Sequence, residues 1–185
     1  MEKSLFDHWK SCWKQYANFK GRARRREYWG FVLFQFLIFI ALQILTFITG
    51  IGTAISGGAM GYVNWEMLAG AGSVYTLMYI VLSLFRLGSI LPSLAAAVRR
   101  LHDTGRSGWW ALMGWIPLIF MIVGVILFEM PDMQIFAILL TVFAAISGLA
   151  TGIILIIWLA SDGQFGPNKY GPNPKEEELN RARLL

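Results

Sequence analysis

The run Arg99-Arg100-Leu101-His102-Asp103-Thr104-Gly105-Arg106-Ser107-Gly108-Trp109-Trp110 holds the chain's densest set of reactive groups: three guanidinium groups, an imidazole, a carboxylate and two glycines within twelve residues. Arginine suits anions, because its planar fork donates paired hydrogen bonds to a phosphate or carboxylate. Gly105 and Gly108 add backbone N–H groups that can close around the same anion. A second basic run, Arg22-Ala23-Arg24-Arg25, lies upstream. Arg22, Arg24, Arg25, Arg99, Arg100 and Arg106, with Gly105 and Gly108, therefore form a candidate site for a phosphate-bearing ligand.

The competing account is structural. Arginines at span ends fix topology, and Asp103 then caps a helix or bridges to Arg22, Arg24 or Arg25. His102, Glu27, Asp162, Asn168 and Asn173 are the other expected structural or counter-ion partners. Catalysis finds little support. Neighbouring helical residues point about 100° apart, so His102 and Asp103 cannot orient one another in a continuous helix. No nucleophile–base–acid pattern or paired carboxylates can be read. His8, His102 and the single Cys12 make a poor metal set. The expectation is a protein that is not an enzyme and uses no cofactor or metal.

These groups need a scaffold, and composition names it. The chain of 185 residues is 56% hydrophobic and 15% charged, against about a quarter charged in soluble domains. Four apolar blocks reach the roughly 20 residues that cross a bilayer: about Tyr28 to Thr49, within Met67 to Val98, Trp109 to Phe128, and Met133 to Ala160. Lipid cannot satisfy a bare backbone, so each span is predicted helical. The expected fold is an all-α integral membrane bundle of four transmembrane helices, preceded by an N-terminal amphipathic interfacial helix. It reads as one membrane domain over residues 1–185, with a basic segment 1–27, spans within 28–160 and a tail 161–185.

Charge sets the expected orientation. Fifteen lysines and arginines fall before span one, between spans two and three, or after span four; the other two connections contain Glu66, Glu129 and Asp132 but no cation. The positive-inside rule then puts both termini and the Arg99–Gly108 segment in the cytoplasm. The net charge of +5 does not imply nucleic acid, because the cations sit where anionic headgroups lie. Anionic membrane lipids are the expected partner, with a homo-oligomer as a further expectation.

Individual segments add detail. Leu5, Phe6, Trp9, Cys12, Trp13, Tyr16 and Phe19 recur at helical spacing over 3–19, predicting an amphipathic helix at the interface that leads into an uncleaved first span. Met67 to Val98 would measure about 48 Å as a straight helix, and it contains Arg86 and Pro92. An intramembrane Arg86 is a functional candidate unless it snorkels outward or pairs with Glu129 or Asp132. Ala144, Gly148 and Gly152 form a small-residue stripe, for internal packing or a dimer seam. Gly50–Asn64 reads as a flexible outer loop, and Asp162–Pro174 as a patterned turn region able to fold against Arg99–Gly108 as lid or counter-ion. Besides lipid binding, the residues leave open a small oligomeric transporter using Arg86, Pro92 and Glu129, or a scaffold docking through residues 3–19.

Three motifs occur in a set order: Phe19 to Trp29, Leu91-Pro92-Ser93 leading into Arg99 to Trp110, and Gly166 to Pro174. In these the chain resembles the YhaH-like family of bacterial inner-membrane proteins, a domain of unknown function (DUF805). The resemblance spans almost the whole chain and implies a small multi-span protein of the cytoplasmic membrane, with no activity attached. Arg86 and the glycine-rich outer loop lie outside the shared pattern.

Overall fold

The computed structural model describes residues 4–58 and 65–176. Those residues are almost wholly helical, without a strand; an isolated bridge between Asn168 and Gly171 is the closest approach to one. The helices are α1 (Leu5–Lys14), α2 (Arg25–Gly58), α3 (Trp65–Asp103), α4 (Trp115–Phe128) and α5 (Gln134–Ala160). A 3₁₀ segment, Gly108–Gly114, leads into α4, and a short one, Pro131–Met133, precedes α5. Four stretches are long and apolar enough to cross a membrane: Arg25–Ile51, Gly72–Asp103, Gly108–Phe128 and Pro131–Ala160.

Several boundaries differ from the sequence expectation. The N-terminal helix covers Leu5–Lys14, ten residues, not 3–19. It starts at a capping box in which Ser4 and Asp7 satisfy each other's backbone N–H groups. Gly50 to Gly58, read as loop, continue α2 as helix, and 59–64 lie outside the described residues, as do 177–185. Arg99 to Asp103, read as loop, are the last turn of α3. Hydropathy marks where a chain enters lipid, but helical hydrogen bonding need not stop there.

The described chain divides into two compact units. One contains the chain up to Tyr16 together with Trp29–Ser93. Within it α1 lies on α2: Phe6 meets Phe34 edge-on at 5.7 Å, and Trp9 Nε1 donates to Gln35 Oε1 at 3.4 Å. Gly30 makes this approach possible, since a Cβ there would stand 3.2 Å from Leu5 Cδ2. Pro92 sits inside α3 and has no N–H for the carbonyl of Gly88 four residues back. The Tyr16 hydroxyl donates to that carbonyl at 3.0 Å, so the proline leaves no orphan acceptor in lipid.

The other unit contains Ala17–Tyr28 and the chain from Leu94 on. Within it α4 and α5 pack antiparallel: Gly124 lies against Ala137 and Thr141, and Gly148 against Pro117, where a Cβ would stand 3.3 Å from Pro117 Cβ. Ala137, Ala144 and Thr151 of α5 are buried, while Leu139, Ile146 and Leu149 are exposed. Small residues face the neighbouring helix and large apolar ones face outward, the arrangement a lipid solvent favours. Ala144 and Gly148 therefore serve internal packing, whereas nothing lies near a Cβ at Gly152.

Candidate functional site

The second unit has a polar core. Arg100, fully buried, is the largest such side chain among the described residues. It sits one turn from the end of α3, facing the C-terminus of α5. Its Nε donates to the Leu159 carbonyl at 3.0 Å and its Nη2 to the Ser161 carbonyl. The last carbonyls of a helix have no partner of their own and carry partial negative charge, so a guanidinium there caps the helix. Arg100 Nη1 donates to the Ala23 carbonyl at 3.3 Å and to Asp103 Oδ2. One side chain thus ties three segments together.

Asp103 is buried and shared. Its Oδ1 accepts from Arg22 Nε at 3.0 Å, and its Oδ2 from Arg100. The Arg22 side chain is 1% exposed; its Nη1 donates to the Gly166 carbonyl at 2.7 Å and its Nη2 to Gln164 at 2.6 Å. Arg99 pairs with Glu27 at 3.2 Å, and its carbonyl accepts from Ala23 N at 3.0 Å. Three cations are thus balanced by two carboxylates and by backbone carbonyls from the entry segment, α5 and the tail. Burying charge is tolerable only with such pairing.

The tail docks through its backbone. Gln164 N donates to the Asp103 carbonyl at 2.8 Å, and Asn168 Nδ2 to the His102 carbonyl at 2.9 Å. Tyr170 stacks on His102, ring centroids 3.7 Å apart and planes 5° from parallel. His102 Nδ1 lies 3.2 Å from the Gly21 carbonyl, which makes it the protonated nitrogen. A Cβ at Gly163 would overlap the Asp103 carboxylate. Asn173 is buried and organises the tail locally, accepting from Lys175 N and donating to Glu176.

The glycines have a different role from the one their sequence suggests. Arg106 N donates to the Leu101 carbonyl at 2.9 Å and Gly105 N to His102 at 3.0 Å. With Gly105 at φ +78°, this is the Schellman stop of α3. Its N–H is spent inside the protein and is no anion donor. Gly108 gives close packing: a Cβ there would stand 2.6 Å from Val98 Cγ1. Ser107 caps the following 3₁₀ segment, accepting from Trp109 N. The Asp-Thr-Gly-Arg-Ser-Gly string thus stops one helix and starts another.

The six candidate arginines separate accordingly. Arg22, Arg99 and Arg100 are buried in the network. Their donors face Glu27, Asp103 and main-chain carbonyls. Desolvating them without internal acceptors would cost several kcal/mol each. Arg106 stacks on Trp158 at 4.7 Å, where Trp110 also meets Trp158 edge-on. Arg25 is exposed and pairs with exposed Asp162 at 2.8 Å. That hydrogen bond and charge hold the Asp162 carboxyl below its ordinary value. Arg24, Arg25, Asp162 and Lys175 surround a cleft of about 30 Å³ backed by Arg100 and Asp103, room for about one water.

In the first unit, exposed Arg86 lies near the middle of the span Gly72–Asp103. Within this unit its partners are Gln43 Oε1 at 3.4 Å and the Phe39 ring at 4.8 Å, both uncharged. No group of metal-binding side chains occurs among the described residues.

Sequence reasoning left Asp103 to Arg22, Arg24 or Arg25, of which Arg22 is its partner, and offered Asp162 and the tail asparagines to the arginines; Asp162 meets Arg25, while Asn168 bonds to the His102 carbonyl. It missed Tyr170 on His102, Tyr16 on Gly88, the capping of α5 by Arg100, and Gly124. Pro92 gave one signal, because its missing donor names Gly88 as an acceptor to be filled.

A family model described as a protein of unknown function (DUF805) matches residues 16–172. The match takes in every residue of the buried network and leaves out α1. Inner membrane protein YhaH of Escherichia coli (strain K12) is 31% identical over 164 residues, covering 89% of this chain and 93% of that protein. Inner membrane protein YhaI of the same strain is 29% identical over 165 residues, covering 89% and 92%. No solved structure matches the chain.

Proposed function

The chain belongs to the DUF805 family of unknown function, and from that premise we propose that it is a non-enzymatic multi-pass protein of the bacterial cytoplasmic membrane that binds anionic lipid headgroups at its basic face. In this reading both termini are cytoplasmic, α1 lies at the interface, and the buried arginine network is a scaffold. The observation that carries the reading is the rim of that scaffold: half-buried Arg24 and exposed Arg25 and Lys175 line one cleft, with Lys20, Arg26 and Lys169 exposed on the same unit. The 15-to-none division of cations between the two sides supports the orientation.

Each exposed cation near an anionic leaflet contributes about 1 kcal/mol. Replacing Arg24, Arg25 and Arg26 by alanine should weaken binding to vesicles containing phosphatidylglycerol by roughly 100-fold, with little change for phosphatidylcholine. Raising salt should narrow the difference. Equal binding of purified protein to both vesicle types, or no effect of the triple variant, would refute the reading.

A further inference from the structure

Phe165 is 95% exposed, barer than any other large apolar side chain among the described residues. Even the outward-facing positions of the four spans reach at most 79%, at Trp109. A whole ring left in water forgoes the stabilisation that burial would bring, and a slack loop would fold it away. This loop is clamped. Arg22 Nη2 donates to the Gln164 carbonyl at 2.6 Å and its Nη1 to the Gly166 carbonyl at 2.7 Å, so one buried guanidinium holds the residues on either side of Phe165. Gln164 N donates to the Asp103 carbonyl at 2.8 Å, and Gly166, at φ +69°, turns the chain back through a conformation that glycine adopts without strain. The ring is therefore presented outward from a fixed turn, with little backbone ordering left to lose on contact.

The turn sits at the boundary of the spans. Three of them begin or end at Arg25, Asp103 and Ala160. The turn is bonded directly to Asp103, and Asp162, three residues before the ring, pairs with Arg25 at 2.8 Å. A headgroup layer is roughly 5–7 Å deep on each side of the hydrocarbon, which takes in a turn joined to span ends in this way. Half-buried Arg24 and exposed Arg25 and Lys175 line the same cleft as Phe165, so cations surround the ring where anionic phosphates lie. An apolar tip within a cationic rim suits entry into a leaflet, whereas a turn facing bulk water gains nothing from the ring.

We propose that Phe165 is a membrane anchor, its ring inserted among the lipids of the adjacent leaflet while the cations beside it meet the phosphates. The anchor rests on the proposed placement of this face at the headgroups, and it adds an apolar contact that lipid charge does not control.

The full chain carrying a nitroxide at Phe165→Cys, reconstituted in nanodiscs of phosphatidylglycerol and phosphatidylcholine, tests it by paramagnetic relaxation. Cys12 is buried and stays unlabelled. The label should be open to oxygen and closed to a water-soluble nickel chelate, as a group in lipid is. A label open to the chelate stands in water and would overturn the anchor; one closed to both lies against protein, its own or a partner's, and would do the same. Phe165→Ser alters a side chain that is almost wholly exposed and should leave the melting temperature unchanged. It should weaken binding of the purified protein to phosphatidylglycerol and phosphatidylcholine vesicles alike, by about tenfold. Unchanged binding to both would also refute the anchor. Replacing Arg24, Arg25 and Arg26 by alanine should instead weaken binding to phosphatidylglycerol alone. Equal wild-type binding to both vesicle types would therefore remove the charge preference of the broader reading, while a lipid-exposed label would still establish the anchor.

Discussion

Asp103→Leu removes the one carboxylate shared by Arg22 and Arg100 while nearly preserving volume. Both guanidinium groups stay buried, with side chains 1% and 0% exposed, and each loses an ionic acceptor. Stranding a buried charge costs about 3–5 kcal/mol. For a chain of this size about 2–4 °C accompany each kcal/mol, so the melting temperature in mild detergent should fall by roughly 6–20 °C. The loss should begin in the tail, because Arg22 holds it through Gln164 and Gly166. Trypsin should therefore cut after Lys169 well below the global transition. Arg22→Met in the Asp103→Leu background removes one stranded cation. The double variant should then be less destabilised than the sum of the singles by about 1.5–3 kcal/mol. Additivity within about 0.5 kcal/mol, or an Asp103→Leu effect under about 1 kcal/mol, would refute the claim that these charges form one buried unit.

Other consequences are as specific. Gly105→Ala forces a side chain into positive φ and onto Gln164, and should cost at least 1–2 kcal/mol, whereas Gly152→Ala meets nothing within 4 Å and should be neutral or stabilising by thermal scan. Tyr16→Phe orphans the Gly88 carbonyl and should cost about 1–3 kcal/mol; in a Pro92→Ala background the restored N–H takes that acceptor, and the same change should cost less. The Arg25 pairing depresses Asp162, so its contribution is complete above the ordinary carboxylate value of about 3.9 and disappears as pH falls through the lowered one. Hydrogen exchange at residues 162–166 should accelerate only in that acid window, and acceleration already at pH 6 would exclude Asp162 as the cause.

Much of this arrangement was legible beforehand. Long apolar runs made the spans readable, because a bilayer leaves a backbone few alternatives to helix. The Gly-Pro-Asn density of 162–174 announced turns, and opposite charges suggested Asp103 with one of Arg22, Arg24 and Arg25. Residues whose partners are side chains of opposite sign could be paired in principle. Residues whose partners are main-chain carbonyls could not, since every residue type supplies the same acceptor.

That limit explains the candidate site. By sequence Arg22, Arg99, Arg100 and Arg106 are equivalent: basic, near a span end, able to bind phosphate. Tertiary structure divides them. Arg100 meets the open carbonyls of α5 and is buried, Arg22 meets the tail backbone and Asp103, and Arg106 meets an indole face. The sequence alone determined the helical spans, the lopsided charge and the turn chemistry, all consequences of local hydropathy and backbone preference. Only the folded chain decided which cations hold the protein together and which face outward, because that depends on where distant helix ends and loop carbonyls come to rest.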